Sequence, residues 1–139
     1  MRSLFALLFL IPAVVIIGCS SSGNSVDNAP LTGTEWILFE MNDIKYESAA
    51  GKNVIMKFDS KEKQINGKAP CNTYGGPYTK SSNKLSFGGL YSTEMACDEL
   101  KAEQEYFSML IKVSAYKVSS GELSLFDPTG MVVARFKAK

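Results

Sequence analysis

The residues best placed to do chemistry are two cysteines in the body of the chain. Cys71 lies in APCNTYGGPY, Ala69 to Tyr78, and Cys97 closes TEMAC. Three chemistries suit such a pair: a structural disulfide, two buried thiols, or a redox-active couple. The C-x-x-C spacing of catalytic dithiols is absent, which favours the staple over the couple. An oxidising compartment would let the bridge persist. A closed loop of about 27 residues is worth roughly 3.5 kcal/mol by chain entropy. A metal site is not expected, because two thiolates without histidine fall short of the usual four ligands.

The chain has 139 residues and no histidine. That removes the commonest general base and the usual third member of nucleophilic triads. Acid–base work would fall to carboxylates such as Asp43, Glu94, Asp98 or Glu99. Three of these cluster near Cys97, yet an acidic helix start is what the helix dipole favours anyway. The expectation is a protein that is not an enzyme, with no catalytic residue and no cofactor. Charge is nearly balanced, 15 Lys plus Arg against 14 Asp plus Glu, without a basic stripe. Nucleic acid is therefore not an expected partner.

Around Cys71 the sequence supports both a packing and a binding reading. Gly75, Gly76 and Pro77 suit a bend, a bulge or a close backbone approach. Tyr74 and Tyr78 share a strand face if the chain stays extended, and a bulge would change that. Asn72 beside a bridge can satisfy open backbone groups. In the binding reading, Asn72, Tyr74 and Tyr78 rim a surface.

Strand patterns dominate the elements that must position these residues. Thr34 to Phe39 is rich in β-formers and aromatics, and Trp36 reads as a core anchor. Val54, Met56 and Phe58 alternate with Ile55 and Lys57. Gln64 to Lys68, Asn72 to Thr79 and Lys84 to Gly88 read as further strands. Ser119-Ser120-Gly121 signals a hairpin between Tyr116/Val118 and Leu123/Leu125. Asp127-Pro128-Thr129-Gly130 suits a β-turn before a last strand through Val132, Ala134 and Phe136. Asp98 to Lys112 reads as one helix, capped by Asp98, with Leu100, Phe107, Leu110 and Ile111 on its apolar face. The expected fold is α+β: a mainly antiparallel sheet of seven to eight strands, curled or barrel-like, with one main helix.

Residues 1–18 have a different character. Arg2 precedes an apolar run from Leu4 to Ile17, short for a membrane span but suited to a secretory signal. Ile16-Ile17-Gly18-Cys19 resembles the bacterial lipobox. The resemblance implies cleavage before Cys19, lipidation of Cys19 and anchoring by two or three acyl chains. Residues 19–30 then read as a flexible tether, whose eleven residues after Cys19 reach roughly 17–20 Å. Loss of Arg2 leaves 14 cations against 14 anions in residues 19–139, the tether together with the domain at 31–139. Ser20 in place of aspartate favours the outer membrane where the host has one.

LTGTEW, ING, CNTYGGPY, TEMAC, a helix with E-x-x-Y-F and a closing L-x-L-x-D-x-x-G together resemble the META domain, the HslJ-like group of bacterial lipoproteins and exported proteins. The motifs run in order from Leu31 to Phe136. Pro70 stands where the family usually has glycine. The resemblance implies a compact α+β fold and a non-catalytic role loosely tied to heat shock, antibiotic tolerance or virulence. The leading expectation is a lipid-anchored envelope protein, monomeric, acting in stress protection or as an interaction module for an envelope protein partner. The second is an inhibitor of a secreted hydrolase, a protease or lysozyme, through a rigid loop at Gly75 to Tyr78 or Gly88 to Glu94.

Overall fold

Alternating apolar residues separated by short polar turns leave each strand one face to bury, and closing the sheet removes its open edges. The computed structural model describes residues 29–139 except residue 49. The expected signal segment at 1–18, the expected lipidation at Cys19 and residues 20–28 of the expected tether lie outside the described residues.

The strands are β1 (Glu35–Met41), β2 (Ile44–Lys45), β3 (Ile55–Asp59), β4 (Gln64–Lys68), β5 (Thr73–Ser81), β6 (Lys84–Phe87), β7 (Tyr91–Ser92), β8 (Ala115–Ser119), β9 (Glu122–Phe126) and β10 (Val132–Ala138). One helix, α1 (Leu100–Leu110), precedes β8. Neighbours run β10-β9-β8-β6-β5-β4-β3-β1, and β10 pairs with β1 to close an antiparallel barrel. The short strands β2 and β7 pair with β1 and β5 outside that ring. The expected antiparallel, barrel-like α+β architecture is what forms.

The barrel core is apolar and continuous. Trp36, Met56, Ile65, Tyr106, Leu110, Leu123, Leu125 and Phe136 are fully enclosed. Trp36 also donates its indole N–H to the Leu31 carbonyl at 2.9 Å, so its polar edge is satisfied inside the core. Two-residue turns fix several registers. Asn42-Asp43 and Ser120-Gly121 each have positive φ at both positions, the hand that matches strand twist. The first of these hairpins, β1–β2, was not expected, although Asn and Asp tolerate that conformation better than most residues. Gly130 N–H reaches the Asp127 carbonyl at 3.0 Å, closing the expected turn before β10.

Up-and-down pairing sorts the connections to two ends. The β3–β4, β5–β6 and β8–β9 turns lie at one end, together with the start of β1. Residues 29–31 lie over this end, beside Ser82, Asn83 and Tyr116. The other end holds the β4–β5 turn, the segment between β6 and α1, and α1 itself.

Two expectations about α1 are corrected. Its inward face is Glu103, Tyr106, Met109 and Leu110, whereas Leu100 is 42% and Ile111 67% exposed. The apolar pattern is offset because a polar residue, Glu103, occupies a buried position and makes hydrogen bonds there. The N-cap is Glu99 rather than Asp98, with no side-chain cap bond. The Glu99 carboxylate instead accepts from the Ser48 hydroxyl at 2.9 Å and the Ala50 N–H at 2.8 Å.

Candidate functional site

Strand β4 returns as β5 through Ala69-Pro70-Cys71-Asn72, closed by Ala69 N–H to the Asn72 carbonyl at 2.7 Å. Pro70 supplies a fixed φ inside this turn, where no N–H is needed from it. Cys71 is bonded to Cys97, with Cα atoms 5.9 Å apart, which the staple and redox-couple readings both require and the reading of two separate buried thiols does not.

The next residue organises the site. Glu103, from the first turn of α1, accepts Cys71 N–H at 2.9 Å, Asn72 N–H at 2.7 Å and the Asn72 amide at 2.6 Å. The Asn72 side-chain oxygen Oδ1 accepts the Thr93 hydroxyl and Met95 N–H, both at 2.8 Å. Asn72 and Glu103 are 3% and 5% exposed, so these charge-assisted bonds form away from water. One amide and one carboxylate thereby join the β4–β5 turn, the helix and the segment after β7. In the sequence Glu103 stands only as the first residue of E-x-x-Y-F, with no role attached. A first-turn acid three residues before a buried aromatic was the signal available.

Asn72, Tyr74 and Tyr78 do not rim a surface; all are buried, the tyrosines at 3% and 4%. The β4–β5 register runs without a bulge from Lys68↔Thr73 to Gln64↔Pro77, so both tyrosines keep the core face. The Tyr74 hydroxyl meets that of Tyr106 at 2.7 Å, with the rings edge to face. Burial raises the pKa of both tyrosines. Tyr78 packs edge-on against Phe58 with centroids 5.2 Å apart. Gly75 to Tyr78 is likewise strand rather than an inhibitory loop.

The glycines serve contact instead. A Cβ on Gly75 would meet the Tyr91 hydroxyl, and one on Gly76 would meet Leu90. The segment between β6 and α1 can therefore lie flat on β5. Strand β7 pairs Tyr74↔Ser92 and Gly75↔Tyr91, and Thr93 N–H bonds the Thr73 carbonyl at 3.0 Å.

Part of what this end presents to solvent is apolar. Tyr91 is 65% exposed, Met95 60% and Ile111 67%, with Phe107 half-buried between helix and segment. Leu90, Tyr91, Phe107 and Ile111, with Ser92 and Ser108, line a cleft of about 350 Å³ without a charged side chain. Single exposed apolar residues are ordinary, but a contiguous group is not. Among the carboxylates considered for acid–base chemistry, Asp98 and Glu99 line one cleft, whose lining includes neither Asp43 nor Glu94. Asp43 sits in the β1–β2 turn, Glu94 is exposed, and Glu99 is occupied by Ser48 and Ala50. Among the described residues, no three His, Cys, Asp or Glu side chains form a metal-binding group.

A family model described as META domain matches residues 29–139. A protein from Burkholderia xenovorans, solved by NMR, is similar in fold. It has a TM-score of 0.63 and 24% identity, covering 78% of this chain and 83% of its own. A second NMR structure aligns with a TM-score of 0.58 and 20% identity, over 75% of this chain and 87% of its own. No curated protein matches the chain.

Proposed function

The chain belongs to the META domain family, and we propose that it is a non-catalytic interaction module, lipid-anchored in the bacterial envelope through Cys19. The carrying observation is the exposed apolar cleft of Leu90, Tyr91, Phe107 and Ile111, between α1 and a segment held by Asn72. Its occupant is an uncharged apolar segment of an envelope protein, since no charged side chain lines the cleft. The place where the chain enters supports a protein rather than the bilayer. Residues 29–31 lie at the opposite end of the barrel, so the chain enters the barrel on the side away from the cleft. A stress-protective role fits a module that engages another envelope protein without chemistry of its own.

The test is a photo-crosslinking residue in place of Ile111 in intact cells, with Ser82 at the opposite end as control. A discrete adduct from position 111 and none from position 82 is the expected result. Equal labelling, or none from 111, removes the reading.

One observation also favours hydrolase inhibition. Gly88 to Glu94 is exposed except at half-buried Leu90, yet fixed to β5 by strand pairing and Asn72, as a substrate-like loop must be. Nanomolar inhibition in a panel of secreted proteases and lysozymes is expected on that reading. Full activity at micromolar protein dismisses it.

A further inference from the structure

The Cys71–Cys97 bridge ties two segments that are already tied. One residue away, the Asn72 amide and Glu103 carboxylate join the same turn to Thr93, Met95 and the helix. Pairing of β5 with β7 adds a third connection. The native arrangement therefore has hydrogen bonds to hold it when the sulfurs part.

Both sulfur-bearing residues also line an open cleft of about 500 Å³, beside Lys52, Pro70, Ala96 and Glu99. Cys97 is exposed, whereas Cys71 is half-buried. The Glu99 N–H, at the start of α1, points to Cys97 Sγ at 3.2 Å. A helix-start N–H stabilises sulfur that carries negative charge. The carboxylate of Glu99 is engaged by Ser48 and Ala50, while Lys52 and Asp98 bring opposite charges to the cleft.

We propose that Cys71–Cys97 is an exchangeable disulfide, and that Cys97 Sγ is the sulfur engaged by a dithiol reductant. A thiolate of the reductant attacks Cys97 Sγ, and the bond to Cys71 breaks. The electron pair leaves on Cys71 Sγ, which takes a proton from water. The second thiol of the reductant then attacks its own sulfur in the mixed disulfide. Cys97 leaves as a thiolate beside Glu99 N–H and is protonated in turn. The reductant becomes a disulfide, and the bridge gains two electrons and two protons. This inference concerns the scaffold behind the apolar cleft and stands independently of what that cleft binds.

The experiment uses the full chain in detergent, with dithiothreitol as the dithiol, alkylation of free thiols and peptide mapping to separate Cys97, Cys71 and Cys19. In native buffer the bridge opens while the near-ultraviolet signal of Trp36 persists, and Tm falls by roughly 10 °C. Immediately after reduction, Cys97 is alkylated at least about tenfold faster than Cys71. Opening only in denaturant, loss of the Trp36 signal on reduction, or equal alkylation of the two cysteines overturns the proposal. Oxidised glutathione gives a second readout: Cys71→Ser forms an adduct at Cys97 at least about tenfold faster than Cys97→Ser does at Cys71. Equal rates again overturn it.

Discussion

The two ends of the barrel are closed by different means. At the end where the chain enters, short turns with left-handed residues such as Ser82 and Ser120-Gly121 reverse the strands, and each depends mainly on its own few residues. At the opposite end, closure is collective. Glu103, Asn72, Thr93 and the Cys71–Cys97 bridge link a turn, a helix and a crossing segment that are distant in sequence. Local closure tolerates change one residue at a time, whereas the shared network transmits one loss to every segment it joins.

The largest expected effect follows from removing the centre of that network. Glu103→Ala leaves the N–H groups of Cys71 and Asn72 and the Asn72 amide short of an acceptor in a buried site. A loss of about 3–5 kcal/mol is expected in urea unfolding. Glu103→Gln keeps an acceptor and should lose distinctly less. Substituting Ser82, in the turn at the other end, should cost within about 1 kcal/mol. Equal losses at the two ends would erase the contrast.

Two glycines at the collectively closed end show which of its positions are tight. A Cβ on Gly67 would stand 1.9 Å from the Ile55 carbonyl oxygen, so Gly67→Ala must push β3 and β4 apart. A loss of about 2 kcal/mol or more is expected. Gly88→Ala meets nothing within 4 Å and should stay within about 0.5 kcal/mol.

Alkaline pH probes the aromatic part of the same end. Burial first, and the neighbouring Tyr74 second, raise the pKa of Tyr106; burial likewise raises that of Tyr74. Their protonated forms thus persist in the folded state above about pH 10, where tyrosines of the unfolded chain ionise. The unfolded state then binds fewer protons, so stability is level below that pH and falls as pH rises. The slope is about 1.4 kcal/mol per pH unit for each tyrosine still protonated. Urea midpoints across this range check it, and Tyr106→Phe should make the fall shallower. The smallest effect on stability is expected on the cleft: Ile111→Ser should change it by no more than about 0.5 kcal/mol while abolishing the adduct from a photo-crosslinking residue at Ser108, on the same cleft.

The sequence made the barrel legible because its strands are amphipathic and its turns carry Gly, Asn, Asp and Pro where backbone hand demands them. It placed Cys71, Cys97 and Trp36 correctly for the same reason: their chemistry is carried by residue type. It misplaced the helix face and the Asn72–Tyr74–Tyr78 surface because burial of polar groups depends on partners that sequence spacing does not reveal. Glu103 looks like a solvent-facing helix acid until Asn72, 31 residues away, supplies its amide. Tyr74 looks like a rim residue until Tyr106 meets its hydroxyl inside the barrel.

Amide hydrogen exchange of Thr93 and Met95 tests the central claim most directly. Both residues are exposed, yet their N–H groups bond to the Thr73 carbonyl and to Asn72 Oδ1. Strong protection of both amides, with Met95 protection lost in Asn72→Ala, is the predicted result. Exchange at the rate of an unstructured loop in the intact protein would contradict a segment held rigid by Asn72 and Glu103.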